Sequence, residues 1–422
     1  MRARFVGVVV VVTAAVATVS CTSRPGAKDV HRAAAMPGET LLLDTSDGPL
    51  VVDVPQGTVR VERPDAIASA DGARVYASRI SHGRTALRTI DAATGDVLRS
   101  RSMPGRLEVR VVSANGTLVA LTEPLAPGAD PWTPVPRTST TIVVADPEGG
   151  KPVRRYDLGG NFEPEAFSTD GHRLFLIKYQ PAEAPALYRV TMLDLRSGTV
   201  MPAFGPVKVP TEAMPGTRLE QVPSVDGSEL FTLYTSERPG FAPHDAPVPA
   251  NAIVSFIHVL SLADGWAHCV TLPRALWHQP ASAEAMAVSP DGSTLYLVDA
   301  DKGLVVTMNT ATLAVSDPYR VDLPSPGDRT TATVSHDGST LFVGTAGGDG
   351  SVTTIDTSSF DAAETWSTSA PVSGLGTSLD GERLYVAVAG RLEVLSVSTG
   401  RDLGDVSVPS PAPIEAISAI VG

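Results

Sequence analysis

The pattern of hydrophobic and polar positions repeats along the chain, and a short polar turn between two apolar segments marks each repeat. Seven segments have the form Ser-x-Asp-Gly, with Asn replacing Asp in one copy, and alternating apolar residues follow each. They begin at Ser69, Ser113, Ser168, Ser224, Ser289, Ser335 and Ser378. Alternation with a period of two predicts a strand with one face in a core. Each copy therefore predicts two antiparallel strands joined by a tight turn.

The polar residues of this signature have a structural explanation in turn chemistry. Ser and Asp side chains hydrogen-bond nearby backbone amides, and Gly supplies the positive φ of a tight reversal. The acidic residues assigned to this role are Asp71, Asp170, Asp226, Asp291, Asp337 and Asp380. Their number could indicate carboxylate chemistry, but their position predicts turn formation instead.

Two further apolar segments follow each turn, so each unit contains four short predicted strands. The interval from one signature Ser to the next ranges from 43 to 65 residues. Four strands in about 40–50 residues are typical of a β-propeller blade, and longer intervals imply insertions. The pattern predicts an all-β protein with a single β-propeller. A linear solenoid is the alternative, but the chain shows none of the capping elements that a solenoid needs.

The number of blades depends on the two ends of the repeat region. Residues 40–43, 50–54 and 58–62 predict three strands before the first signature, and residues 414–421 predict one strand after the last. Pairing these N- and C-terminal strands would close the ring with an eighth blade and remove exposed sheet edges. Eight blades are favoured, and seven are the alternative.

The signature also carries a family resemblance. Ser289-Pro-Asp-Gly292, followed by Leu295-Tyr296, resembles the repeat of bacterial YVTN or lactonase-like propellers, and more loosely that of WD-repeat and TolB-like ones. The resemblance covers about residues 40–422 and implies a propeller. It also raises lactone hydrolysis, since some lactonase-like propellers use central acidic, His or Arg residues. No catalytic motif of that family matches this sequence residue by residue.

The start of the chain predicts export. Residues 1–4 form a basic segment, residues 5–19 an apolar one, and Thr18-Val19-Ser20-Cys21 resembles a bacterial lipobox, although Leu is usual where Thr18 stands. We expect residues 1–20 to be a signal peptide, Cys21 to be lipidated, 21–38 to be a flexible tether and 39–422 to be the propeller. The alternatives are an ordinary cleaved signal or a short uncleaved anchor. The expected location is the extracytoplasmic face of the cell membrane.

Composition narrows the possible partners. The net charge of −13 and a pI near 5.1 argue against nucleic acid, whose binding needs clustered basic residues. Only five lysines occur in a chain rich in Ala, Val, Pro and Arg, which is typical of a high-GC bacterium, here a Gram-positive one. Of the two cysteines, Cys269 is expected to be a buried, inert thiol. The expected partner is an envelope protein or a small ligand, and the expected state is a monomer.

Long insertions point to one face of the propeller. Residues 123–138, 178–187, 202–218, 235–252 and 272–284 all follow a second or fourth strand, so they belong on the face opposite the signature turns. Aromatic and histidine side chains on such loops are typical of a recognition surface. The candidate binding residues are Trp132, Tyr179, Phe241, His244, Trp277 and His278. The alternative is that these segments are solvated connections whose aromatic residues cap local gaps.

Catalytic and metal-binding patterns are not recognised. His244, His258, His268 and His278 follow no zinc spacing, and His258 falls in a predicted core strand. No phosphate-binding glycine loop appears, and no cofactor, metal or catalytic residue is predicted. The first strands of several blades, such as residues 66–68, 285–288 and 331–334, are small and apolar. That composition favours a scaffold over an enzyme acting in the central channel.

Overall fold

The computed structural model describes residues 38–45, 48–62, 66–126, 133–205, 213–236, 250–277, 280–408 and 413–421. These residues form eight four-stranded antiparallel sheets. In seven of these sheets the strands are neighbours in chain order, as the repeated pattern predicts, and the eight sheets are the blades of a propeller. The predicted all-β propeller and the eight-blade count are confirmed.

The first four blades run from residue 67 to residue 271. Blade 1 contains β4 (Ile67–Ala68), β5 (Arg74–Ser81), β6 (Arg84–Asp91) and β7 (Val97–Pro104), and blade 2 contains β8 (Glu108–Val112), β9 (Val119–Thr122), β10 (Ser139–Ala145) and β11 (Arg154–Gly159). Blade 3 contains β12 (Asn161–Phe167), β13 (Arg173–Gln180), β14 (Leu187–Asp194) and β15 (Val200–Pro202). Blade 4 contains β16 (Thr217–Pro223), β17 (Glu229–Thr235), β18 (Ser255–Ser261) and β19 (Ala267–Thr271).

Three more blades follow, after a 3-10 turn at Arg274–Leu276. Blade 5 contains β20 (Glu284–Val288), β21 (Thr294–Asp299), β22 (Leu304–Asn309) and β23 (Tyr319–Arg320). Blade 6 contains β24 (Thr330–Val334), β25 (Thr340–Thr345), β26 (Ser351–Asp356) and β27 (Ala362–Ser367). Blade 7 contains β28 (Gly374–Thr377), β29 (Arg383–Val388), β30 (Arg391–Ser396) and β31 (Asp402–Ser407).

The eighth blade joins the two ends of the described chain. Its strand order is β32 (Ile414–Val421), β1 (Thr40–Thr45), β2 (Gly48–Asp53) and β3 (Thr58–Glu62). In the antiparallel β32–β1 pair, Leu41 lies opposite Ile420 and Leu43 opposite Ile417. The predicted closure by N- and C-terminal strands is therefore confirmed. Because β1 is paired on both sides, the closure leaves no exposed edge there.

The core is distributed around the ring. The buried apolar residues form eight clusters in the described part of the chain, one at each interface between neighbouring blades. The aromatic residue that follows the signature in most second strands is buried in each: Tyr76, Phe175, Phe231, Tyr296, Phe342 and Tyr385. Each sheet therefore buries both of its faces against neighbours, which stabilises the ring without a single central core.

One hydrogen-bonded contact adds to the closure. Glu39, which is 5% exposed, accepts a hydrogen bond from the backbone N–H of Leu379 at 2.8 Å, and another from the Tyr385 hydroxyl. Both partners belong to blade 7, so the start of the propeller is fixed to two blades. Among the described residues, no helix is long and apolar enough to cross a membrane. The predicted signal peptide and most of the tether lie outside the described residues.

Candidate functional site

The signature turns lie between the first and second strands of their blades, and their polar side chains are engaged locally. In the six Asp-containing copies the signature Ser hydroxyl donates to the Asp carboxylate at 2.5–2.7 Å. The same Ser oxygen accepts a backbone N–H from five residues later, as in Thr294 to Ser289 at 2.9 Å. At Asp337, hydrogen bonds from Ser335 and from the backbone of Ser339 lower the pKa to about 2. These carboxylates are occupied in turns.

Several cavities lie on this turn face, one of them within blade 7 and two between the turns of neighbouring blades. Three of them have volumes of about 510–570 Å³ and are lined by signature residues such as Gly171, Asp337 and Gly381. The same kind of cleft thus occurs between blades 2 and 3 and between blades 6 and 7. We therefore attribute these cavities to the repeated architecture of the blades rather than to a dedicated binding site.

The opposite face carries the loops between second and third strands and the links between blades; we call it the loop-bearing face. The long insertions belong to blades 2 to 4 and to the links that follow blades 3 and 4. Trp132, Phe241, His244 and His278 lie outside the described residues. Tyr179 lies near the end of β13 rather than in a loop, and it is only 7% exposed. Trp277 is partly buried, and its indole N–H donates to the Leu272 carbonyl at 2.8 Å.

A smaller cavity of about 320 Å³ lies on the loop-bearing face between blades 3 and 4. We call it the tyrosine cavity, because Tyr179, Tyr188 and Tyr234 line it. The rings of Tyr188 and Tyr234 are stacked with centroids 4.8 Å apart and planes 18° apart. Burial raises the pKa of all three hydroxyls, so each remains protonated at neutral pH. The remaining lining residues are Thr133, Pro134, Ile177, Pro185, Ala186, Leu187, Gly216, Thr217 and Arg218.

Arg218 gives the tyrosine cavity a cationic group. Its side chain is 4% exposed, and its Nη1 lies 3.7 Å from Oε1 of Glu165 on β12. The amide of Gln221 donates to the same Glu165 oxygen at 2.6 Å. Burial raises the pKa of Glu165 above its usual range, while Arg218 opposes that shift. The interface between blades 3 and 4 thus places a buried Arg–Glu pair beside an aromatic cavity.

A second buried carboxylate lies between blades 2 and 3. Glu163 is fully buried, and its two oxygens contact Arg110 at 3.2 Å and Arg137 at 2.5 Å. Arg137 also donates to Asn161 at 2.7 Å. Burial raises the pKa of Glu163, and the two guanidinium groups that surround the carboxylate oppose that shift.

A third buried cluster lies between blades 4 and 5. Glu284 begins β20, and Asp299 stands directly opposite it at the end of β21. Burial raises the pKa of Glu284 well above its usual value, and the charges of Asp299 and Glu220 raise it further. Glu220 belongs to β16, so all three clusters involve the first strands that surround the central channel.

Bulges in these first strands direct the charged side chains to different neighbours. In β12 the register shifts between Pro164 and Ala166, leaving Glu165 as the extra residue. A strict period of two would place Glu163 and Glu165 on the same face. Instead Glu163 contacts blade 2 and Glu165 contacts blade 4. Similar shifts occur at Arg110 in β8 and at Leu219 in β16.

These observations correct one expectation about the channel. The small, apolar composition holds for β4, β24 and β28, but β8, β12, β16 and β20 carry charged residues. The sequence could have predicted these charged first strands, because charged residues occur three to six positions before the Ser of four consecutive signatures. They are Glu108, Arg110, Glu163, Glu165, Arg218, Glu220 and Glu284. Blades 2 to 5 carry these charged first strands and adjoin the long insertions, whereas the first strands of the other blades carry one charged residue among the described positions, Glu415 of β32.

His258 and Cys269 both lie in the described part of the chain, and both are buried. His258 is buried in β18, as expected for a core residue, and burial lowers its pKa to about 4. The predicted burial of Cys269 is confirmed, and burial raises the pKa of its thiol. In the described ranges no group of three or more His, Cys, Asp or Glu side chains is placed to hold a metal ion. His244 and His278 lie outside those ranges.

Comparison with solved structures identifies other propellers. The apo structure of AztD from Citrobacter koseri has a TM-score of 0.52 and 14% identity, covering 91% of this chain and 96% of that one. The dihydro-heme d1 dehydrogenase NirN, in complex with DHE, has a TM-score of 0.52 and 14% identity, covering 94% and 76%. The periplasmic gluconolactonase PpgL from Pseudomonas aeruginosa has a TM-score of only 0.40 at 16% identity, covering 82% and 99%.

These similarities concern the fold alone, since the sequence identities are far below the level at which function is shared. No protein-family model matches the chain. No curated protein matches it significantly. The chain is thus an eight-bladed β-propeller whose fold is similar to those of AztD and NirN.

Proposed function

We propose that this chain is an exported, lipid-anchored propeller of the bacterial cell envelope, and that its loop-bearing face binds a small organic ligand. Export and the anchor rest on the sequence of residues 1–21, which lies outside the described residues. The binding role rests on one structural observation, the tyrosine cavity. A protein partner on the same face is the alternative occupant.

The cavity supports a ligand of defined chemistry. Binding sites for small molecules are concave, largely apolar and aromatic, with a few placed polar groups. Here Tyr188 and Tyr234 contribute buried aromatic carbon to the lining, and Arg218 contributes one cation. A planar organic acid fits both features, because the rings would contact its body and the guanidinium its carboxylate.

Matched ligand pairs test this proposal. We expect aromatic carboxylic acids to raise the melting temperature of the protein, and the corresponding primary amides to do so less. We expect Arg218→Gln to weaken binding of the acids by about tenfold or more, since a charge-assisted hydrogen bond is lost. Binding of the amides should change little.

A control variant separates this effect from a general one. Tyr319 is a partly exposed tyrosine of β23, stacked on Phe360 at 3.9 Å and remote from the cavity lining. Tyr319→Ala should leave acid binding unchanged. The proposal is wrong if no acid binds, or if acids bind equally well to the wild type and to the Arg218→Gln variant.

The lipid anchor has its own test. We expect mass spectrometry of the membrane-extracted protein to find an acyl-modified Cys21 at the mature N-terminus. A Cys21→Ser variant should lose membrane association while its propeller stays folded. An N-terminus at any other residue would exclude the anchor and leave the binding proposal in place.

A second candidate function is an enzyme acting at the channel, of the lactonase-like hydrolase or lyase type. The observation in its favour is Glu165, 3% exposed, whose Oε2 has no hydrogen-bond partner among the described residues. A buried carboxyl with a raised pKa can act as a general acid or base. Hydrolysis of a panel of lactones, lost in Glu165→Gln and kept in Glu229→Gln, would support it. Absence of turnover above the uncatalysed rate would remove this candidate.

A further inference from the structure

The interface between blades 4 and 5 holds a carboxylate that the proposed ligand site does not use. Glu284 is 4% exposed, although it belongs to β20, the strand of blade 5 nearest the channel. Neither of its carboxylate oxygens has a hydrogen-bond partner in the part of the chain that the structure describes. A buried carboxyl without any partner is costly, so its persistence requires an explanation.

The nearest cation is committed to other groups. Lys302 lies with its Nζ 4.0 Å from Oδ2 of Asp299, at the limit of an ion pair. That ammonium donates to the carbonyls of Ala275 at 2.7 Å and Trp277 at 2.9 Å, which fixes it to the link between blades 4 and 5. Lys302 therefore partly offsets Asp299 and lowers the pKa of Glu284, but among the described residues no ion pair joins it to Glu284.

The buried glutamates at the other two interfaces have cationic or amide partners. Glu163 has two arginines and Glu165 has one arginine and an amide. Glu284 faces Asp299 and Glu220, both of which repel its negative charge. Like charges in a buried site are stable only when one group is protonated or a cation enters. Among the described residues, the third interface has the buried negative charge of the other two without an arginine paired to its glutamate, and Lys302 offsets that charge only in part.

We propose that the carboxylates of Glu284 and Asp299 bind the ammonium group of a small organic amine at the interface between blades 4 and 5, on the side of the loop-bearing face. Glu284 begins β20 and Asp299 ends β21, so both lie at the strand ends that meet the loop-bearing face. An ammonium group carries three N–H donors, and Glu284 offers two oxygens that lack donors. A hydrogen-bonding cation fits better than a metal ion, because the described residues form no group of three metal ligands.

Binding of the amine would be coupled to release of one proton. In the empty site burial and the neighbouring carboxylates favour the protonated form of Glu284, and the incoming ammonium would replace that proton as the positive charge. The carboxyl O–H bond breaks, the proton leaves to solvent, and the carboxylate accepts N–H hydrogen bonds. Affinity should therefore rise with pH as long as Glu284 is protonated in the free protein.

Titration calorimetry with defined probes tests the site. We expect n-butylammonium and the diammonium putrescine to bind with one site per chain, and more tightly at about pH 8 than at about pH 6. Tetramethylammonium has no N–H donor, so it should bind about tenfold more weakly or not at all. Measurements in buffers with different ionisation enthalpies should detect the released proton.

Variants distinguish this site from the tyrosine cavity. Glu284→Gln should weaken amine binding by about tenfold or more, with Asp299→Asn as a second test if one variant folds poorly. Glu229→Gln, which changes a carboxyl outside both sites, is the control. Arg218→Gln should leave amine binding intact, so the two proposals can fail separately. Equal binding of tetramethylammonium, unchanged affinity in Glu284→Gln, or binding of Ca²⁺ in place of the amines would overturn the assignment.

Discussion

Three glutamates at neighbouring blade interfaces show how much a residue's role depends on its surroundings. Glu163 contacts two guanidinium groups, Glu165 contacts one, and Glu284 contacts none among the described residues. Their positions relative to the signature Ser are similar, and only the neighbouring blade differs. Sequence analysis could find the charges, but it could not find their partners, because the partners lie more than 20 residues away along the chain.

The environment of Glu284 predicts an unusual pH dependence. A carboxyl with a raised pKa binds its proton more tightly in the folded than in the unfolded chain, so its contribution to stability is lost as pH rises. Glu284→Gln mimics the protonated form. We expect the variant to be more stable than the wild type near neutral pH, by about 2 °C or more in melting temperature.

The difference should shrink as pH falls towards about 4.3, where the unfolded carboxyl also becomes protonated. Thermal unfolding of both proteins from about pH 4 to about pH 8 measures this directly. Since other titrating groups are shared, they cancel in the comparison. A difference that is constant with pH, or a variant less stable at neutral pH, would contradict the assigned environment of Glu284.

At the scale of the element, the signature turn is the part of the fold that the sequence predicted best. Its residues act through local hydrogen bonds and a positive φ at Gly, as at Gly292 with φ of 75°. Interactions of this kind involve residues that are close together in the sequence, so the sequence alone predicts the positions of all seven turns. The bulges in β8, β12 and β16 could not be placed, since they depend on how each strand meets the next blade.

The signature Ser should therefore contribute measurably to stability. Ser289 is 6% exposed, donates to Asp291 at 2.6 Å and accepts the backbone N–H of Thr294 at 2.9 Å. Ser289→Ala leaves that N–H without its partner, and we expect a loss of about 1–3 kcal/mol in the free energy of unfolding. Denaturant unfolding measures it. Ser398→Ala, at an exposed turn position, is the control and should change stability little. Equal effects in both variants would contradict the proposed role.

At the scale of the whole molecule, closure of the ring depends on pairing between distant parts of the sequence. The strand patterns at both ends indicated an eighth blade, and the structure pairs them, with Leu41 opposite Ile420. The sequence carries charged residues before the signatures of blades 2 to 5, but it does not show that their side chains meet at the interfaces between those blades. Those contacts form only when blades 2 to 5 stand side by side.

The closing pair should couple energetically. Leu41 and Ile420 are buried at 0% and 5% exposure, so Leu41→Ala and Ile420→Ala should each cost about 2–5 kcal/mol. The double variant should differ from the sum of the single ones by about 0.5 kcal/mol or more, because the two side chains lie opposite each other. Val97→Ala, at a residue 46% exposed on an outer strand, is the control. Additive losses in a double-mutant cycle would argue against direct contact across the closure.

The central claim is that the loop-bearing face binds a small organic acid in the tyrosine cavity, and a crystal structure of the protein with the tightest-binding aromatic acid tests it most directly. We predict that the ring of the ligand lies against Tyr188 and Tyr234, with its carboxylate within hydrogen-bonding distance of Arg218. A ligand bound between the signature turns on the turn face, or in the cavity without contact to Arg218, would contradict the account.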